Sequence, residues 1–296
     1  MAEPADGIVR LTAGEASAAI ALRGAEPISW RVGGRELLWH GDPAHWGFRA
    51  PILFPVVGAS VGGAIRVDGE TYPMPQHGFA RHAAFALVES AGDSARFRLA
   101  ESEETLRRYP FRFMLDVTVT LAPAALAVAF AVTNAGDGTM PYGLGFHPAF
   151  PWPFDGTGRD GHQVTFEAAE RPDVPEVAAG GLLARTGRAV PLAGRALPLS
   201  PELFTEALVF LDARSRSFAF EAPSGRAIEM AVEVFPHLAV WTKPTAPFLS
   251  LEAWTAHADW EGAEGDLASR PSMALLAPGE TGRHAVTMSW RGQPTR

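Results

Sequence analysis

Three short segments set titratable side chains where protons could be moved. They are Tyr72-Pro73-Met74-Pro75-Gln76-His77-Gly78-Phe79-Ala80-Arg81, Gly145-Phe146-His147-Pro148 and Phe248-Leu249-Ser250-Leu251-Glu252-Ala253-Trp254. Each frames one His or Glu with apolar residues, glycine or proline. An imidazole exchanges a proton near neutral pH, and a carboxylate in a partly apolar pocket is tuned towards the same range. Two histidines and one glutamate can therefore carry acid–base chemistry without metal, nucleotide or covalent nucleophile.

Each residue also has a plainer reading. His77 follows a Pro-Met-Pro-Gln run that stiffens its approach, and Gly78 admits close contact with a ligand; a lone loop histidine more often bonds backbone. His147 sits between Phe146 and Pro148, where a buried imidazole needs partners for both nitrogens; it reads equally as a satisfied core histidine. Glu252 interrupts an apolar run. On a strand it faces the same side as Phe248, Ser250 and Trp254, an expensive place for a carboxylate that is neither paired nor used. Arg81 could pair with Glu103 or Glu104, or hold hydroxyls or a phosphate through its planar fork. Trp152, Trp241 and Trp254 could form a stacking wall, although aromatics in such a fold are more often core. His40, Asp42 and His45 lie in a loop-like stretch and do not complete a metal-ligand spacing. His257 and Asp259 read as loop residues near the mouth of a site. No phosphate-cradling glycine loop, nucleophile elbow or dinucleotide fingerprint is present.

The elements that must position these groups are strands. Phe113, Leu115, Val117, Val119 and Leu121 alternate with smaller or polar residues. After Ala122-Pro123-Ala124-Ala125 the alternation resumes at Leu126, Val128, Phe130 and Val132, which predicts an antiparallel hairpin. Similar pairs are predicted at 85–89 with 97–99 and at 218–220 with 228–234, and a further strand at 284–290. The chain carries 30 glycines and 25 prolines, breakers too frequent for long helices. Residues 171–200, rich in Pro, Gly and Ala, read as a long surface excursion. The pattern alone gives an all-β chain, sandwich or barrel.

Composition excludes several functions. With 296 residues, 47% hydrophobic, the chain can bury a sizeable core and reads as a single domain, 1–296. A net charge of −8 disfavours nucleic acid, which needs a clustered basic surface. There are no cysteines, hence no disulfide, thiolate metal site or Cys nucleophile. The acidic start Met1-Ala2-Glu3-Pro4-Ala5-Asp6 lacks the features of a secretory signal, and no apolar run is long enough for a membrane helix. The expectation is a cytoplasmic protein, monomer or homodimer, with a small-molecule partner and no membrane or nucleic-acid partner.

In this order, the three segments resemble the aldose 1-epimerase (mutarotase) family, its uncharacterised bacterial branch in particular. The likeness includes Leu53-Phe54-Pro55, His77-Gly78-Phe79-Ala80-Arg81, Glu103-Glu104-Thr105-Leu106, Tyr109-Pro110-Phe111, His147-Pro148-Ala149-Phe150 and Leu276-Ala277-Pro278-Gly279-Glu280. The resemblance implies a large antiparallel β-sandwich (supersandwich) and interconversion of the α and β anomers of an aldose or aldose phosphate, with no cofactor and no metal. It implies Glu252 as general base on the anomeric hydroxyl, His147 as general acid on the ring oxygen, and His77 as a catalytic and substrate-binding group that orients the sugar and stabilises charge at the ring oxygen. Arg81, on the reading of its fork above, is the further substrate-binding candidate. A sugar ring is then expected between the Glu252 carboxylate and the two imidazoles. The alternative on the same scaffold is a non-catalytic carbohydrate-binding or sugar-sensing protein. The sequence departs from the family at Ala59, where relatives commonly carry an arginine, and at Ala253-Trp254-Thr255-Ala256, in place of proline-tryptophan and a later glycine.

Overall fold

The computed structural model describes residues 7–156 and 158–292; the acidic stretch 1–6 lies outside them. The predicted alternation becomes the hairpin Phe113–Ala122 and Ala125–Asn134, in register with Leu121 opposite Leu126. Phe113, Leu115, Val117 and Val119 are fully buried. Their neighbours Met114, Asp116 and Thr118 are only partly so. This hairpin lies inside a nine-stranded sheet. Beyond Phe113–Ala122 come Ser94–Ala100 and Ala86–Ser90. On the other flank lie Thr281–Arg291, Ala227–Glu233, Ser217–Glu221, Gln163–Phe166 and Ala196–Pro198. Every pairing is antiparallel.

A six-stranded sheet faces it. Leu208–Phe210, His237–Trp241, Phe248–Trp254, Gly145–Phe146 and Ile52–Leu53 follow in order, and Ala149–Pro151 also pairs with Phe248–Trp254. The two sheets enclose the core: the rings of Phe130 and Phe146 approach to 5.9 Å, and those of Phe166 and Phe210 to 4.8 Å. Burying one such side chain contributes roughly 1.5–3 kcal/mol. A four-stranded sheet of Ile8–Ala13, Ala16–Ala21, Glu26–Val32 and Arg35–Glu36 adds its own buried residues to that core. Among the described residues the one α-helix is Glu103–Leu106, a single turn capped by Ser102 and Thr105. The fold is the all-β antiparallel sandwich that the alternation and the resemblance predicted.

Phe248–Trp254 is the strand that positions the site. All seven residues are buried, because both its faces are covered. Leu249, Leu251 and Ala253 point into the inter-sheet core. Phe248, Ser250, Glu252 and Trp254 share the opposite face, as period-two geometry requires. The reading of 171–200 as a surface excursion is corrected here. The segment forms a hairpin, Asp173–Val177 with Leu183–Ala189, and then supplies Ala196–Pro198 to the large sheet. Leu183 packs with Leu53, Val209, Ala239 and Trp254, so the hairpin covers the outer face of the six-stranded sheet. Proline and glycine counts alone concealed it, because the strand-forming positions are held by buried Val174 and Leu183 and not by a long apolar run.

Candidate active site

Strand pairing brings Ala149 opposite Ser250, so the turn 147–148 lies across the strand that bears Glu252. His147 Nε2 sits 3.2 Å from Glu252 Oε2, and both side chains are almost wholly buried. The same Oε2 accepts the Trp254 Nε1–H at 3.0 Å. On the far side of the imidazole, Nδ1 lies 2.8 Å from Ser250 Oγ, and that hydroxyl donates to the Pro148 carbonyl at 2.7 Å. Because the serine proton is given to the carbonyl, Oγ accepts from Nδ1–H. The neutral ring therefore presents a bare Nε2 to Glu252, and the contact needs one proton between the two groups. Burial raises Glu252 well above the usual carboxylate range, against the opposing Trp254 hydrogen bond. Burial, followed by the nearby His77 and Arg81, lowers His147 well below the usual imidazole value. Both shifts favour neutral partners sharing one proton.

His77 closes the trio. Its ring centroid is 5.9 Å from that of His147, edge to face. It adopts a left-handed φ of 66°, as does Gly78 at 71°. A β-carbon on Gly78 would stand 2.1 Å from the Phe54 carbonyl oxygen, so only glycine allows the loop to pass there. The Gly58 N–H donates to His77 Nδ1 at 3.1 Å, leaving Nε2–H as the free donor. Burial, and secondarily Arg81, pulls His77 down to about 3, so the ring is neutral. Arg81 is held by donating to the Gln76 carbonyl at 2.8 Å and by lying 5.1 Å over the Phe48 ring. Its Nε is buried with no hydrogen-bond partner among the described residues.

All four residues line one cleft of about 310 Å³, with Trp46, Trp241 and Trp254 as aromatic walls. Val177, Gly181 and Leu183 of the hairpin, with Gln76 and Lys243, complete its rim. Such a space suits a single small ring, and the polar atoms converge on one side of it.

The structure corrects several expectations. No ring-sized gap separates Glu252 from the imidazoles, because His147 and Glu252 touch; a ligand must lie across the pair. Arg81 does not pair with Glu103 or Glu104, which face Arg107 and Arg108 at 3.6 and 3.3 Å. The carboxylate whose charge it feels is Glu26. Trp152 is core, packed against Phe204, while Trp241 and Trp254 line the cleft. Asp259 is no mouth residue: it is buried, 3.1 Å from Arg270, and accepts the Val61 N–H. Ala59 lies under the hairpin turn, where a β-carbon on Gly181 would be 3.5 Å from its methyl. An arginine there would have to displace that turn. His40 and His45 pack around Trp39. Three groups went unread in the sequence: Ser250 as partner of His147, Glu26 beside Arg81, and Trp46 stacked on His147. Only Ser250 had a signal, its shared face with Glu252.

Sandwich, cleft and the His–Glu contact together define a class. The chain belongs to the aldose 1-epimerase family, whose model matches residues 7–289. It is similar to LacX of Lactococcus lactis subsp. lactis, in chromosomal and plasmid forms, each 31% identical over 274 residues, or 86% of this chain and 90% of LacX. Among solved structures it resembles a galactose mutarotase-like protein from Lactobacillus casei, at 29% identity and a TM-score of 0.89, spanning 96% of this chain and 100% of that one. It also resembles a galactose mutarotase related enzyme from Lactobacillus acidophilus, at 27% identity and a TM-score of 0.90, spanning 98% and 99%.

Proposed function

We propose that the protein is an aldose 1-epimerase, an isomerase interconverting the α and β anomers of an aldose or aldose phosphate. The observation that carries this reading is the contact of His147 Nε2 with Glu252 Oε2 at 3.2 Å inside a ring-sized cleft. The ring oxygen and the anomeric hydroxyl of a pyranose share one carbon. An acid for the first and a base for the second must therefore stand side by side, as these two groups do.

In the proposed cycle the pair rests neutral, and on sugar binding the shared proton passes from Glu252 to His147 Nε2, so that the sugar meets imidazolium and carboxylate. His147 Nε2–H protonates the ring oxygen while Glu252 takes the anomeric hydroxyl proton, and the C1–O5 bond breaks. The products are the open aldehyde, neutral His147 and protonated Glu252. Rotation about C1–C2 exposes the other carbonyl face, and closure returns both protons. The two ends of ring opening thus match the two ways of placing one proton on the pair. The dry cleft favours the neutral arrangement, so it supports the open-chain state. The neutral Nε2–H of His77 offers a hydrogen bond to the ring oxygen, and Arg81 Nε offers one to a hydroxyl or phosphate. Each positioned acid or base contributes about 10²–10⁴-fold.

The test is an anomer-interconversion assay on a panel of free and phosphorylated aldoses, followed by polarimetry or NMR from a single pure anomer. Acceleration of at least one sugar supports the reading. Binding of an aldose with no acceleration above the uncatalysed rate would make the protein a sugar binder.

A further inference from the structure

We propose that Trp46 is a positioning residue for His147, kept in place by Lys243. The proposal rests on the reading of His147 as the proton donor and adds a residue that the three motifs do not contain.

The indole of Trp46 lies flat on the imidazole, with centroids 4.7 Å apart and planes at 30°. Two other rings meet the imidazole edge-on, Trp241 at 5.5 Å and His77 at 5.9 Å. His147 is tethered at Nδ1 by Ser250. A ring held at one nitrogen can still pivot about that bond and swing Nε2 away from Glu252. The stacked indole blocks the pivot and keeps water off that face.

Trp46 can do this because its own segment is fixed at three points. Its N–H donates to the Asp42 carbonyl at 2.8 Å. Its carbonyl accepts the Trp39 indole N–H at 2.9 Å. The preceding carbonyl, of His45, accepts Lys243 Nζ at 2.6 Å. Lys243 is the one lysine of the chain; the other cationic side chains apart from histidine are all arginine. It lies between His237–Trp241 and Phe248–Trp254, the two strands that carry Trp241 and Glu252. The latch therefore ties the loop that holds the imidazole to the hairpin that holds the carboxylate. Fixing the relative position of two reacting groups is worth much in rate, since a displacement near 1 Å can cost 10²-fold.

The titratable and charged groups around His147 are Glu252 on the strand, His77 and Arg81 on the segment before it, and Lys243 and Glu206 at the rim of the same cleft. Loss of Trp46 leaves these in place and admits water to the ring. Burial is the first cause of the depressed affinity of His147 for a second proton. Hydrating the ring therefore raises that affinity, and this outweighs the lost attraction of the indole face for a cation.

The experiment combines NMR titration of the His147 ring with anomer kinetics in wild type, Trp46→Ala, Trp46→Phe, Lys243→Met and Lys243→Arg. In Trp46→Ala the pH at which His147 becomes doubly protonated rises, and kcat falls by about 10- to 100-fold, the scale of a misplaced reacting group. Trp46→Phe keeps a ring over the imidazole and recovers most of both. Lys243→Met moves both readouts in the Trp46→Ala direction, less far, and Lys243→Arg, which keeps the cleft cation and a donor for the His45 carbonyl, separates loss of the latch from loss of the charge. An unmoved titration in a folded Trp46→Ala protein overturns the proposal, and so does unmoved kcat beside an inactive Glu252→Gln. If Trp46→Ala does not fold, an unmoved titration in Lys243→Met overturns the latch. The titration reads the ring even in a protein that interconverts no sugar. A shifted ring in such a protein supports the hold of Trp46 and retires only the enzymatic reading.

Discussion

Glu252→Gln removes the proposed base while keeping its size. Oε2 faces two groups at once, Trp254 Nε1–H at 3.0 Å and His147 Nε2 at 3.2 Å. A carboxyl oxygen satisfies both, accepting from the indole while the shared proton lies towards the imidazole. An amide satisfies only one. Its oxygen would set lone pairs against Nε2, and its nitrogen would set hydrogens against the indole N–H. The lost contact costs about 1–3 kcal/mol. A second effect opposes it. Burial raises the folded-state affinity of Glu252 for its proton above the ordinary 4.5. Stability tied to that proton is full below 4.5 and lost as pH rises through the folded value. The glutamine has no such loss, so its stability relative to wild type improves as pH increases from 4.5. In catalysis the missing base costs about 10²–10⁴-fold, or about 3–5 kcal/mol in the barrier. Affinity changes far less, because an amide oxygen still accepts from the anomeric hydroxyl. Single-anomer NMR gives kcat/KM, and urea unfolding at several pH values gives stability. A variant within tenfold of wild type in kcat/KM would refute Glu252 as the base.

Three further outcomes follow from the geometry. Burial moves His147 down from the ordinary imidazole value and Glu252 up from the ordinary carboxylate value, so wild-type kcat/KM should not follow the limb of a free imidazole; a limb centred near 6.5, the ordinary imidazole value, that persists unshifted in Glu252→Gln would mean that His147 titrates alone. Gly78→Ala forces a left-handed backbone costing about 1–2 kcal/mol, and adds a methyl 2.1 Å from the Phe54 oxygen, so urea unfolding should show a loss above that range and turnover should fall as His77 moves; unchanged stability and rate would count against the tight crossing. Buried His237 is pulled down to about 4, first by burial and then by His257, while accepting the Asp212 N–H at 3.0 Å. Its folded value lies below the unfolded 6.5, so its contribution is present above 6.5 and lost as pH falls towards 4, by about 3 kcal/mol. His237→Gln keeps an acceptor and abolishes that share of the acid loss; equal losses in both proteins would refute it.

Much of this site was legible because its chemistry sits in local sequence. His77 and Gly78 share a turn, and Glu252 announces itself as a charge on an apolar strand with Ser250 two residues away. The alternation at 113–132 was enough to predict the hairpin that lies inside the large sheet. What could not be read depends on approach between distant segments. Trp46 lies 101 residues from His147, and nothing in Asp42-Pro43-Ala44-His45-Trp46 distinguishes a tryptophan that meets an imidazole from one that fills core. Glu26 looks like any strand carboxylate until the fold sets it beside Arg81. The hairpin over Ala59 was hidden because its two strands are half exposed and lack the apolar alternation of the core sheets.

The hydrogen-bond chain behind His147 has one more consequence. From Nδ1 it runs through Ser250 Oγ and stops at the Pro148 carbonyl, which cannot relay a proton. Among the described residues the chain goes no further on that side. With a sugar over the cleft, the imidazole exchanges protons only with the substrate and with Glu252, 3.2 Å away. If the aldehyde departs before closing, a single hop across that contact restores the starting arrangement. On the proposed cycle the site is then a sealed circuit that returns its own proton every turnover. Added buffer, which hastens ring opening of sugars in free solution, should leave the protein-catalysed rate unmoved.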